Sequence, residues 1–239
     1  MPWDFWLIFL ALGVLLPWRG SVRMKKLLAM PRVSSIERLV LYASTIAFQW
    51  LAAAVVAWRV WAHGYSAPQL GLALRDRTSV ALAAVIGAAV IALLLQGLNL
   101  RRVGRLPVDS RGPVQAIAER ILPQSTVELL PYLSLAITAG LCEEFLYRGF
   151  AMAALANAGV APWLVVLVSS LLFGLAHSYQ GRGGMVMTFL VGLLLGASRL
   201  SYNSLLPAIF WHSAVDAVAG IAGKRYLLAK AAPEETSKS

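Results

Sequence analysis

Cysteine is nearly missing from this chain: Cys142 is the only one in 239 residues, which excludes an intrachain disulfide framework and a multi-cysteine zinc site. No activating base stands at helical spacing from it, so Cys142 is expected to pack as a small buried hydrophobe. Charge is scarce as well, with only 13% Asp, Glu, Lys and Arg where soluble domains carry about 25%. Acidic residues number 11 against 21 basic ones, and there are three histidines. There is no G-x-S-x-G elbow, which argues against a hydrolase built on a serine nucleophile; Ser178, beside His177, reads as an ordinary loop residue. No tandem repeat is visible, nor the inverted repeats and paired broken helices of transporters. The net charge of +10 is spread through short segments between apolar runs and forms neither a basic patch nor a recognised nucleic-acid fold, so nucleic acid is not expected as a partner.

Apolar residues make up 59% of the chain, in runs long enough to meet the roughly 20 residues that a membrane-crossing helix needs. Only helices satisfy every backbone polar group within such a segment. The expected fold is therefore all-α, a polytopic transmembrane bundle of about seven spans, at 3–18, 38–61, 79–99, 127–157, 161–178, 185–200 and 204–223. Proline and glycine punctuate the joins, at Pro17, "HGYSAP", "RLPVDSRGP", "NAGVAP", "GRGG" and "YNSLLP". The first run lacks a cationic leader and a small-residue cleavage site, and is expected to stay as an anchor. Three regions follow: N-terminal membrane helices with basic loops over 1–126, a helical core over 127–223, and a basic then polar tail over 224–239, whose "PEETSKS" end reads as disordered.

Lysine and arginine favour the cytoplasmic side of a membrane. With seven spans, the segments holding Arg19 to Arg38, Arg101 to Arg120, Arg182 and Lys224 to Lys238 fall on one side, and only Arg59, Arg75, Arg77 and Arg199 fall on the other. That bias predicts a cytoplasmic (inner) membrane protein with its N-terminus outside and its C-terminus in the cytoplasm. Trp3, Trp6, Trp18, Trp58 and Trp61 lie at span ends, as interfacial anchors facing membrane lipids do, and His63 reads as one more interfacial side chain.

An ionisable group at the centre of a span costs about 2.5–3.5 kcal/mol on insertion scales and normally faces a protein interior or a wet cavity. Here such groups are Glu143, Glu144 and Arg148 on span four, His177 near the end of span five, and His212 with Asp216 on span seven. Glu144 and Arg148 are four apart and can pair on one face. Glu143 points about a quarter-turn away, without a partner. His212 and Asp216 are also four apart, so the carboxylate can orient the imidazole or share a ligand with it. Ser204 as a cap with Pro207 in the first turn would start that helix. Glu143, His177, His212 and Asp216 together suit activation of water, the carboxylate taking a proton while imidazoles hold the water or a metal.

The stretches "EEFLYR" (143–148), "FGLAH" (173–177) and "HSAVD" (212–216) fit E-E-x-x-x-R, F-x-x-x-H and H-x-x-x-D/N, in that order on three helices. In this the chain resembles the CPBP intramembrane protease family, which groups type II CAAX prenyl endopeptidases with bacteriocin-processing and bacteriocin-immunity proteins. The resemblance covers roughly 127–223. It implies an intramembrane (metallo)endopeptidase acting on membrane-associated peptides or proteins, lipidated ones among them. Glu143 would be the general base and His177 would hold the attacking water. His212 with Asp216 would complete the site or stabilise the oxyanion, and Arg148 would position Glu143 and Glu144. The family often has Asn where Asp216 stands; a carboxylate there favours a cation and weakens the oxyanion role. Two histidines with Glu143 or Asp216 could hold a divalent metal, zinc first, yet glutamate and histidine could also activate water unaided. Two other readings of the same residues are a non-catalytic immunity or scaffold protein of this fold and a proton-coupled transporter.

Overall fold

The computed structural model describes residues 1–73, 79–111 and 113–228. The expected polar tail, Arg75, Arg77, Lys230 and Lys238 lie outside them. The described residues are helical and contain no strand: α1 (Trp3–Ala29), α2 (Ser35–Ala62), α3 (Ser79–Gly104), α4 (Pro113–Ile121), α5 (Thr126–Asn157), α6 (Pro162–Ala176), α7 (Ser178–Tyr202) and α8 (Leu206–Leu227). Among them α1, α2, α5, α7 and α8 are long and apolar enough to cross a membrane. The remaining two expected spans are the 26-residue α3 and the shorter apolar α6. The chain is thus a helical integral membrane bundle.

Local chemistry explains most helix ends. A capping box opens α2, where Ser34 Oγ accepts from the Glu37 N–H and Glu37 reaches back to the Ser34 N–H. Pro162 sits in the first turn of α6, where its missing N–H costs nothing. Asn203 ends α7 in the left-handed conformation, φ 47°, a geometry that asparagine tolerates better than most residues. The last helix begins at Leu206 with Pro207 in its first turn, and the Ser204 hydroxyl accepts from the Leu206 N–H.

The first span differs from expectation. Pro17 does not end it; α1 continues to Ala29. Proline lacks an N–H and its ring crowds the carbonyl four residues back. Here the turns over Ala11–Leu15 open into a wider π-helical register, with the Leu16 N–H bonding the Ala11 carbonyl. The widened turns absorb the defect, so the basic segment beyond Pro17 is carried on the helix instead of a loop.

In the packing, α5 lies between α2 and α8, α8 also packs on α3, and α6 pairs with α7. One apolar cluster joins Phe5, Val56, Val60, Tyr147, Phe150 and Phe173; another joins Leu41, Tyr42, Leu122 and Tyr132. The bidentate pair of Arg38 on Glu128, at 2.8 and 2.9 Å and buried, clamps α2 to the start of α5. Trp3, Trp6, Trp18, Trp58 and Trp61 all face outward. His63 is exposed, and its Nε2 lies 3.0 Å from Asp4, which also accepts from Arg59 at 2.7 Å, pinning the start of α1 to the end of α2.

Candidate active site

The site is built around a second departure from α-helical register. Over Phe145–Ala151, α5 again opens into a π-helical segment, in which the Met152 N–H reaches back five residues to the Tyr147 carbonyl. That carbonyl also accepts from the buried Ser169 hydroxyl at 2.8 Å, so α6 supports the distorted turn. Such bulges re-aim side chains. Here the segment follows Glu143 and Glu144 directly and contains Arg148.

Glu144 and Arg148 are both fully buried, and Arg148 Nη1 donates to Glu144 Oε1 at 3.0 Å, the pairing their spacing implies. The guanidinium also donates to the Gly192 carbonyl at 3.3 Å and stands 4.1 Å over the Phe173 ring. Gly192 permits this approach, since a Cβ there would press on both Arg148 and Ser170. A buried ion pair is stable only when its remaining polar capacity is met. Carbonyl and ring contacts supply part of that on the arginine, and a further helix supplies part on the glutamate, whose Oε2 has no partner.

That further helix is α8. His212 Nδ1 lies 2.8 Å from the same Glu144 Oε1 and donates to it, leaving Nε2 on the other side of the ring. Asp216 Oδ2 is 3.6 Å from Nε2, with its side chain 38% exposed. The imidazole is thus oriented chiefly by a carboxylate on another helix, with Asp216 as a looser neighbour on its own. Helical spacing exposes the second contact and is blind to the first.

Glu143 faces the other way. Its Oε2 stands 3.8 Å from His177 Nε2 and has no hydrogen-bond partner. His177 Nδ1 donates to the Phe173 carbonyl at 2.9 Å, which turns Nε2 toward Glu143. Phe173 links the set: its ring lies edge-on to both imidazoles and beneath Arg148. The partner that Glu143 lacks in sequence is Gln49 of α2, whose Nε2 donates to Glu143 Oε1 at 2.7 Å. The only signal for Gln49 was a single amide inside the apolar run "STIAFQWLAAAVV". Cys142 is buried and free, as expected of a packing residue.

Two adjoining cavities meet at these groups. One, about 240 Å³, is lined by Arg19, Arg23, Phe48, Gln49, Glu143 and His177 among others. The second, about 420 Å³, shares Gln49, Glu143 and His177 and adds Tyr132, His212 and Asp216. Glu143, His177, His212 and Asp216 therefore border one space, while Glu144 and Arg148 lie behind it. As metal ligands the donor types are suitable, and each imidazole has its Nδ1 fixed and its Nε2 toward the cavity. Their placement does not fit a cation: among the described residues no three His, Cys, Asp or Glu side chains gather closely enough to hold one.

Fold and cavity together define an integral membrane helical protein with a buried polar centre. Residues 125–218 match the family model of Rce1-like type II CAAX prenyl endopeptidases, which supports the CPBP family at the stretch that carries all three motifs. An uncharacterized 24.3 kDa protein of Escherichia coli is 36% identical over 86 residues, 35% of this chain and 40% of that protein. The chain thus spans about two fifths of that relative's length. No solved structure matches it.

Proposed function

We propose that this chain is an intramembrane endopeptidase that hydrolyses peptide bonds in membrane-associated or lipidated peptides by water activation. The observation that carries the reading is the 3.8 Å separation of Glu143 Oε2 and His177 Nε2 at the junction of two cavities. One water oxygen can stand within hydrogen-bond reach of both atoms. Glu143 takes a proton from that water as the oxygen attacks the peptide carbonyl, and the proton passes to the departing amine. His177 orients the water, its own tautomer set by the Phe173 carbonyl. His212, its Nδ1–H held by Glu144, faces the same space beside Asp216 and, as the imidazolium, donates its Nε2–H to the carbonyl oxygen as charge develops on it. Arg148 acts through Glu144 and touches no reacting atom.

The donors at the site support unaided water activation; a divalent metal would require Glu143, His177, His212 and Asp216 to draw together. Glu143→Gln should abolish cleavage of a peptide library in detergent or proteoliposomes while leaving the thermal melt unchanged. Full activity in that variant would sink the mechanism. Elemental analysis of the same purified samples reports whether a cation joins these residues. The charge bias of the connecting segments supports placement in the cytoplasmic membrane with the N-terminus outside. Reporter fusions at the C-terminus and in the 63–73 segment should accordingly report opposite sides, the C-terminal one cytoplasmic.

A further inference from the structure

The smaller cavity holds two cations that the peptide-cleaving residues do not use. Arg19 and Arg23 stand one turn apart on α1, both half-buried, and both line the 240 Å³ space with Glu143 and His177. Neither has a carboxylate within ion-pair distance among the described residues. Arg23 is fixed by neutral acceptors on α2, Thr45 Oγ1 at 3.0 Å, Ser44 Oγ at 2.5 Å and the Leu41 carbonyl at 3.3 Å. Arg19 stacks 3.8 Å over the Phe48 ring, and none of its N–H donors meets a protein acceptor among the described residues. The acid that lines this cavity, Glu143, is engaged by Gln49 and faces His177. Two guanidiniums are thus held apart from the cavity's own acids, one braced by hydroxyls and one presenting free donors from a fixed aromatic platform.

We propose that Arg19, supported by Arg23, is a subsite for a carboxylate of the peptide substrate. This rests on the peptidase reading, because the anion shares the cavity with Glu143 and His177. A partly buried cation is costly to leave uncompensated, and the planar fork of arginine matches a carboxylate with two parallel hydrogen bonds. The subsite also offsets the repulsion that Glu143, Glu144 and Asp216 impose on an acidic peptide. Both arginines lie outside the 125–218 match, on a helix where selectivity can vary without altering the reacting groups.

The carboxylate can come from the peptide's C-terminus or from an Asp or Glu side chain, and three matched peptides separate these sources: free C-terminus, amidated, and amidated with a displaced Glu. The wild type should prefer one carboxylate-bearing peptide over the plain amide by roughly ten- to a hundredfold in kcat/KM, as hydrogen bonds to charged groups imply. Arg19→Gln should bring that ratio near one without lowering cleavage of the amide, and Arg19→Lys should recover part of it. An unchanged ratio in Arg19→Gln would overturn the proposal. So would equal losses on all three peptides accompanied by loss of dependence on phosphatidylglycerol, which would assign the pair to a lipid headgroup. Fluorescence anisotropy with Glu143→Gln makes the subsite independent of turnover: absence of cleavage in the wild type defeats the peptidase reading, while equal affinity for all three peptides defeats the subsite.

Discussion

At the scale of single residues, adjacent glutamates have opposite tasks because of what each meets. Glu144 is fully buried and receives Arg148 and His212 on one oxygen; Glu143 borders the cavity with one oxygen held by Gln49 and the other unpaired. Glu144→Gln should leave Arg148 as an uncompensated buried charge and cost about 3–5 kcal/mol, as removal of one member of a buried pair does. Thermal melts in detergent would measure this, and combining it with Arg148→Met should restore part of the stability but not the placement of His212. Gln49→Met, of similar length, should act differently. The amide oxygen of Gln49 is itself buried without a partner, so its loss should spare stability. The freed Glu143 carboxylate should wander, lowering kcat by roughly ten- to a hundredfold, since misplacement of about 1 Å can cost that much. A kcat change with an intact melt is the expected signature.

Between helices, the site depends on how closely α5 and α8 approach. Gly140 makes that possible: a Cβ at this position would collide with Ser213 Oγ and come within 3.0 Å of the Ile209 carbonyl. Small residues at crossings let membrane helices pack backbone to backbone, and this crossing lies one turn before Glu144 on α5 and beside His212 on α8. Gly140→Val should cost about 1–3 kcal/mol from overpacking and reduce cleavage more than the melt alone would explain, because it parts His212 from Glu144. Gly87→Ala, on α3 with open space around its position, is the control and should change neither. The two π-helical segments belong to this scale as well. Hydrophobic pattern does not reveal them, because the same residue types suit either hydrogen-bond register of the turn.

For the molecule as a whole, the proposed reacting groups cluster in the C-terminal half, yet the enclosure needs the N-terminal half. Gln49, Arg19 and Arg23 come from helices outside the 125–218 match, and the Arg38–Glu128 pair fastens those helices to the core. Arg38→Met should therefore lower stability by about 3–5 kcal/mol and make α2 more accessible to proteolysis or hydrogen exchange, with weakened cleavage following from the loss of Gln49 at Glu143. The charge of Arg38, legible in sequence only as a cation near a span end, is consumed inside the bundle.

Composition and spacing by themselves determined the helical membrane class, the approximate spans, the Glu144–Arg148 pairing and six of the polar residues that face inward, Glu143, Glu144, Arg148, His177, His212 and Asp216, but not Gln49, Arg38 or Glu128. These follow from the length of apolar runs and from local geometry, which depend only on neighbours along the chain. Tertiary structure alone decided that Glu144 holds His212, that Gln49 holds Glu143, that α1 runs on through Pro17, and that Arg19 and Arg23 share a cavity with the candidate base. Each of these turns on which faces of separate helices meet, and that is set by the packing of small and aromatic side chains across crossings, a quantity no local periodicity encodes.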